Sequence, residues 1–251
     1  MDWVDEGYVL SARRHGENAL IVSLLTRGHG RHVGLVRGGA GTRGRGLYQP
    51  GNQVRARWWA RLAEHLGNYS CELTRAHAAR HLYEPLPLLA LSAATTLVDL
   101  ALPEREPVER LYATLGILLE RLGEPGWPAE YVRWELDLLA GLGFGLDLTE
   151  CAVTGSRNLL AFVSPNTGRA VAAPAAGPYR GRLLPLPGFL LERTADEISN
   201  ADIVTGLSLT GHFLARHVMG DSRSDLPAAR ERLVEGLKIA SDRRTGPVSR
   251  N

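Results

Sequence analysis

Two periods divide this chain. Val54, Ala56, Trp58 and Ala60 alternate with Arg55, Arg57, Trp59 and Arg61, so Gln53 to Leu62 reads as a strand with one face on a core and the other in water. Tyr8 to Arg14 and Ala19 to Thr26, aliphatic and β-branched, flank the turn residues His15-Gly-Glu-Asn and read as a hairpin. Gly28-His29-Gly30 turns the chain into a third strand, Arg31 to Arg37. A flexible Gly/Arg loop runs on through Gly46, and a turn near Glu64 to Gly67 leads to a fifth strand, Asn68 to Leu73. Five short strands with Gly-rich turns predict a small barrel, and among such barrels the OB-fold is built to hold oligonucleotides.

From Tyr83 the period lengthens. Pro85 and Pro87 are expected to break the chain, and Leu88 to Leu102 reads as an apolar helix ended by Pro103. Val108, Leu111, Tyr112, Leu115, Leu118, Leu119 and Leu122 recur at three- and four-residue spacing between Pro107 and Gly123, so one helical face is core. Pro128 suits the first turn of a helix carrying Tyr131, Glu135, Leu138 and Leu142. Two more helices are predicted near Asp202 to Met219 and Leu226 to Ala240, the last marked by Asp225 and Pro227. Leu146 to Arg193 interrupts this bundle with a hairpin pattern around Asn166-Thr-Gly168 and a proline-rich run. The fold class is thus α+β and multidomain: an OB-fold nucleic-acid-binding domain in residues 1–80 and a helical domain in 81–251, with an irregular insert at 146–193.

Composition narrows the setting. With 251 residues, 44% of them hydrophobic, the chain can bury one or two ordinary cores. No run reaches the roughly 18 apolar residues of a membrane helix, and Met-Asp-Trp-Val-Asp-Glu is acidic where a signal peptide is basic, so a cytoplasmic protein without membrane contact is expected. Cys71 and Cys151 are expected to stay reduced there. The net charge of +2 hides an asymmetry: 12 Arg against 6 Asp+Glu through residue 80, and an acidic excess beyond it. That asymmetry puts the positive field in the first third.

The wet face of the Gln53 strand therefore holds Arg55, Arg57 and Arg61 around Trp59. Cations for phosphates beside a flat apolar ring are what a single nucleic-acid strand requires; the plainer alternative is a solvated edge strand with Trp59 packed under a loop. Other chemistry is poorly supported. Gly39-Ala-Gly41-Thr-Arg-Gly44 spells G-x-G-x-x-G, but the dinucleotide reading needs a helix to start there, and Arg45-Gly-Leu-Tyr-Gln-Pro-Gly51 is not expected to begin one. Lys238 is the only lysine, which removes a P-loop, and neither G-x-S-x-G nor H-E-x-x-H occurs. His29 with His32 and His77 with His81 lack a third ligand nearby, His212 and His217 do not converge on one helix face, and the insert offers one Cys and no His where structural zinc takes four ligands. No cofactor or metal is expected.

Several short motifs in one order carry a resemblance: Gly7-Tyr-Val-Leu, His15-Gly-Glu, His29-Gly-Arg, Gly34-Leu-Val-Arg-Gly, Gln49-Pro-Gly, Arg133-Trp-Glu-Leu-Asp-Leu-Leu and Leu142-Gly-Phe-Gly-Leu-Asp-Leu-Thr-Glu-Cys-Ala. Over about residues 5–193 the chain resembles the RecO family of bacterial DNA repair and recombination mediators. The resemblance implies a non-enzymatic protein with an N-terminal OB-fold and a helical domain. It would bind single- and double-stranded DNA, anneal strands and, with RecR, load RecA onto DNA coated by single-strand-binding protein, in a nucleoid-associated setting. It implies DNA contact at Arg31, Arg37, Arg55 and Arg57, with Arg43 and Arg45 on the loop. It also places Arg133 on a docking surface for the acidic, aromatic-ended tail of single-strand-binding protein, where an ordinary i,i+4 pair with Asp137 is the alternative. Lys238 and Arg243-Arg244 read as solvating the C-terminal end. Some family members carry a four-cysteine zinc finger in the insert; here Cys151 stands at the first position, Thr154 at the second, and the return pair within Val171 to Pro174 is apolar, so the finger is degenerate. An OB-fold RNA-binding protein, or an enzyme using the insert as a lid, are the rival readings.

Overall fold

The computed structural model describes residues 1–191, 198–219 and 226–245, apart from the side chains of Arg43 and of residues 241–245. Asp225, Arg193 and the Arg243-Arg244 side chains lie outside the described residues. Five strands, β1 (Asp2–His15), β2 (Ala19–Thr26), β3 (Gly30–Val36), β4 (Gln53–Trp59) and β5 (Asn68–Arg75), close a barrel in the order β1-β2-β3-β5-β4. Every pairing is antiparallel except the single parallel contact of β3 with β5 at Leu35 and Asn68. This is the five-stranded OB-fold. β1 is longer than its alternation suggested: Asp2 to Tyr8 pairs along the whole of β4, and Gly7 to His15 along β2.

The alternation of β4 holds, with Val54, Ala56 and Trp58 in the barrel core and Arg55, Arg57 and Trp59 outside. The strand ends at Trp59, so Arg61 lies just beyond it. In β1, Gly7 to Leu10 are all buried because both faces are covered. Val9 points into the barrel, while Tyr8 packs outward against Tyr112, ring centroids 5.1 Å apart. Tyr112 belongs to α4 (Glu109–Arg121), whose Gly116 admits the Tyr8 hydroxyl: a Cβ there would stand 2.4 Å from that oxygen.

The glycine stretch after β3 is not a loop throughout. Thr42–Leu47 forms a short helix, α1, with Arg45 N–H donating to the Gly41 carbonyl and Tyr48 N–H to that of Gly44. The chain doubles back so tightly that a Cβ on Gly44 would sit 1.9 Å from the Gly39 carbonyl oxygen. Propensity argues against a Gly/Arg helix, and packing overrides it: the buried Asn52 side chain donates to the Gly46 and Leu47 carbonyls at 3.0 and 3.1 Å, tying off the helix end. The G-x-G-x-x-G thus does lead into a helix, but one of six residues between antiparallel barrel strands, without the βαβ frame of a dinucleotide site.

After α2 (His77–Arg80), the prolines begin a helix instead of breaking the chain: α3 spans Pro85–Ala101 with proline in its first turn, where the missing N–H costs nothing. α3 covers the outer face of β1 and β2, and Ser11 and Ser23 both donate to the Asp99 carboxylate, at 2.7 and 2.6 Å. Packing therefore places α3 and α4 with the barrel in a first compact unit, Met1–Gly123. The change of period near 80 marks the end of the barrel strands.

The second unit holds α5 (Trp127–Gly141), α7 (Asn200–His217) and α8 (Ala228–Thr245), with the insert between the first two. Ser199 and Asp202 form a reciprocal capping box at the start of α7. In the insert, β6 (Leu160–Val163) lies between β7 (Ala170–Ala172) and β8 (Leu184–Pro185), and α6 (Ala173–Ala176) follows β7. Among the described residues, no helix is long and apolar enough to cross a membrane.

Candidate nucleic-acid interface

Between Gly7 and Ala63 the chain carries ten arginines and one acid, Glu17. Folding changes that balance by bringing acids from outside the stretch. In the β1–β4–β5 register Arg55 stands opposite Glu6 on one side and Glu72 on the other, and Trp59 opposite Asp2 and Asn68. Directly opposed side chains lie close enough to attract measurably. Arg57, opposite Val4 and Ser70, donates through Nη2 to Asp2 at 3.0 Å. The ridge is outward and wet as its alternation implied, with Trp59 41% exposed, yet its charge is partly cancelled in place.

Arg31 is held within its own unit. Its side chain is only 17% exposed; Nε donates to the Leu102 carbonyl at 2.7 Å, and the two Nη atoms each lie 3.5 Å from a carboxylate, Asp99 and Glu104. A guanidinium held on three sides by its own unit has no free donor edge for phosphate. The reason is Asp99 on α3 and Glu104 just beyond it, which the sequence gives no reason to place against β3.

Arg37, at the end of β3, is exposed without a partner among the described residues, as are Arg55 and Arg61. Arg45 projects from α1, its Nε 3.4 Å from the Ala40 carbonyl. The Arg43 side chain lies outside the described residues. Two further cations escaped the sequence reading: Arg13 and Arg14, exposed at the end of β1 beside the hairpin turn. Their signal was present as an Arg-Arg pair with only Glu17 nearby, but they were read as part of a hairpin strand.

In the second unit, Arg133 donates to Glu130 Oε1 at 2.5 Å and to the Phe189 carbonyl at 2.9 Å, and lies over the Phe189 ring. Arg133 thus forms an i,i−3 pair with Glu130, and its guanidinium, 18% exposed, is also bound to the insert.

The insert is a small three-stranded sheet built around Cys151 and apolar side chains. Cys151 is buried, with Gly155 N–H donating to its carbonyl at 2.8 Å and Ala172 N–H lying 3.2 Å from its Sγ. Where return thiolates would stand, Phe162, Val171, Ala172 and Ala176 pack as a small apolar cluster around the Cys151 side chain. Among the described residues no three His, Cys, Asp or Glu side chains converge as ligands. These residues do not fit zinc, and elemental analysis of the purified protein should find no stoichiometric metal; one zinc per chain would contradict the geometry.

A closed barrel in β1-β2-β3-β5-β4 order with an arginine-rich surface, followed by a helical unit, defines an OB-fold protein of the nucleic-acid-binding class. The family model described as Recombination protein O N terminal matches residues 1–77, and that described as Recombination protein O C terminal matches residues 82–226. The DNA repair protein RecO of Rhodospirillum centenum is 53% identical over 242 residues, 96% of each chain. Those of Rhodospirillum rubrum and Cereibacter sphaeroides (strain ATCC 17023) are each 48% identical, over 97% and 96% of this chain and the full length of the relative. The chain belongs to the RecO family of DNA repair and recombination proteins.

Proposed function

We propose that the protein acts without catalysis as a cytoplasmic, nucleoid-associated recombination mediator. It would bind single- and double-stranded DNA, anneal complementary strands and, with RecR, help RecA onto DNA covered by single-strand-binding protein. Family membership supports this reading, and the observation that carries it is the outward, exposed arginine set of the barrel: Arg37, Arg45, Arg55 and Arg61, with Arg57 and Trp59 on the same ridge as Arg55. Arg31 drops out because its donors are used internally. Annealing needs no nucleotide hydrolysis on this scheme. Arginines lower the repulsion between two strands, and base pairing supplies the downhill step. The committed state of Arg133 leaves less for a tail peptide to bind than its sequence position implied, so the tail of single-strand-binding protein would meet this helix only if the Phe189 contact opened.

The expected result is retardation of oligo(dT) with affinity falling linearly in log[salt], by about 0.7 log units per neutralised phosphate per decade of salt. Fluorescence anisotropy at several salt concentrations measures it, and titration with a matched RNA separates the RNA-binding alternative. Absence of binding even in dilute buffer would remove the reading.

A further inference from the structure

We infer that the primary phosphate subsite is not the β4 ridge but the mouth of the barrel, where the β1–β2 hairpin end faces α1. Resting on the nucleic-acid reading above, this assigns the single-strand backbone to a specific opening. The register puts Ala12 opposite Val22 and Arg14 opposite Leu20. Val22 and Leu20 are barrel core, so Ala12 and Arg14 lie on the inner side of β1 where the barrel opens. Across the opening, the Ala40 N–H donates to the Asn18 carbonyl at 3.3 Å, which ties the β3–α1 connection to the hairpin turn. Ala12, Arg14, Leu20, Ala40, Arg45 and Tyr48 line the resulting cavity of about 450 Å³.

Three features make this opening a better phosphate site than the ridge. Arg14 has no partner among the described residues, and Arg45 touches only a backbone carbonyl. Within Ala12 to Tyr48, the stretch that forms this opening, the only acid is Glu17 in the hairpin turn, whereas the ridge faces Asp2, Glu6 and Glu72. Finally, Arg45 does not ride on a loose loop: the Asn52 tie and the close packing of Gly44 on Gly39 fix the helix that carries it. Two guanidinium forks on opposite rims of an apolar-floored opening match one phosphodiester with its sugar below. A held donor also loses less entropy on binding than a free side chain.

The test compares Arg14→Ala/Arg45→Ala with Arg55→Ala/Arg57→Ala in oligo(dT) anisotropy titrations across salt. The mouth variant should lose roughly 20-fold in affinity near 0.1 M salt, with a log-log slope shallower by about 1.4, and the ridge variant less than about threefold. Arg14→Lys/Arg45→Lys should restore the slope, since a point charge still neutralises phosphate, which a folding defect would not allow. Sodium pyrophosphate at matched ionic strength should not displace the strand; displacement at micromolar concentration would make this a small-polyphosphate site and overturn the proposal. So would wild-type affinity in the mouth variant, or a larger loss in the ridge variant, while leaving the DNA-binding reading intact. Failure of the wild-type protein to bind oligo(dT) would overturn both.

Discussion

Arg230→Ala is expected to cost about 3–5 kcal/mol of stability, because it leaves a fully buried carboxylate without its cation. Glu135 on α5 is inaccessible to water. Arg230 on α8 meets it with two bonds, Nε to Oε1 at 2.7 Å and Nη2 to Oε2 at 2.9 Å, and Nη2 also donates to the Leu207 carbonyl. From α7, Thr210 Oγ1 donates to Oε2 at 2.5 Å. One ion pair thus joins three helices that are far apart in sequence. Gly211 is part of the same arrangement, since a Cβ there would stand 2.9 Å from Arg230 Nη1. Urea unfolding followed by far-UV circular dichroism reads the loss. Glu135→Leu combined with Arg230→Met should recover most of it, because no lone charge then remains inside. An Arg230→Ala midpoint indistinguishable from wild type would show that the carboxylate finds water or another partner.

Acidification from pH 6.5 to 4 is expected to weaken the first unit by about 2 kcal/mol for each of two buried histidines, His32 and His77. Burial lowers both to about 4 from the usual 6.5, helped by the cation Arg105 near the first and by Arg80 and Arg75 near the second. Glu120, whose carboxylate lies 3.9 Å from His77 Nε2, is already shared by Arg75 and Arg80 and offers a proton little help. The Tyr69 hydroxyl, kept protonated by burial, lies 3.0 Å from His32 Nδ1, so the ring is enclosed by polar and aromatic groups and not by water. The sign follows from linkage: below pH 6.5 the unfolded rings bind protons that the folded rings refuse. Their stability contribution is therefore intact above 6.5, declines as pH falls and is gone below 4. Urea midpoints across pH 4–7 measure this, with His77→Leu expected to flatten the profile. Carboxylates titrate in part of the same window, so it is the difference between wild type and variant that decides; identical slopes would remove His77 from the account.

Much of the architecture was legible in the residues because it is written in local periods. The alternation of Val54 to Trp59 and the three-and-four spacing of Leu111 to Leu122 depend only on which face of a strand or helix meets a core. What the periods do not show has a non-local cause. Pro85 and Pro87 look like breakers until their place in a first turn is known. The α1 helix has no propensity in its favour and exists because Asn52, ten residues on from Thr42, satisfies its carbonyls. The compact unit extends to Gly123 because α3 and α4 pack on β1, and no pattern within those helices names the surface they cover.

By itself the amino-acid order determined the barrel strands, the helices that follow, the loss of the zinc ligands and the concentration of arginine in the first third. These depend on composition and short-range spacing, which no folding can alter. Only the tertiary structure decided which arginines remain available. Strand register set Glu6, Glu72 and Asp2 beside the β4 ridge, and α3 closed over Arg31, while Arg14 and Arg45 line one opening at the hairpin end. Charge in a sequence is a count, but the field a polyanion meets depends on distance and desolvation, and both are set by contacts between residues the chain keeps far apart.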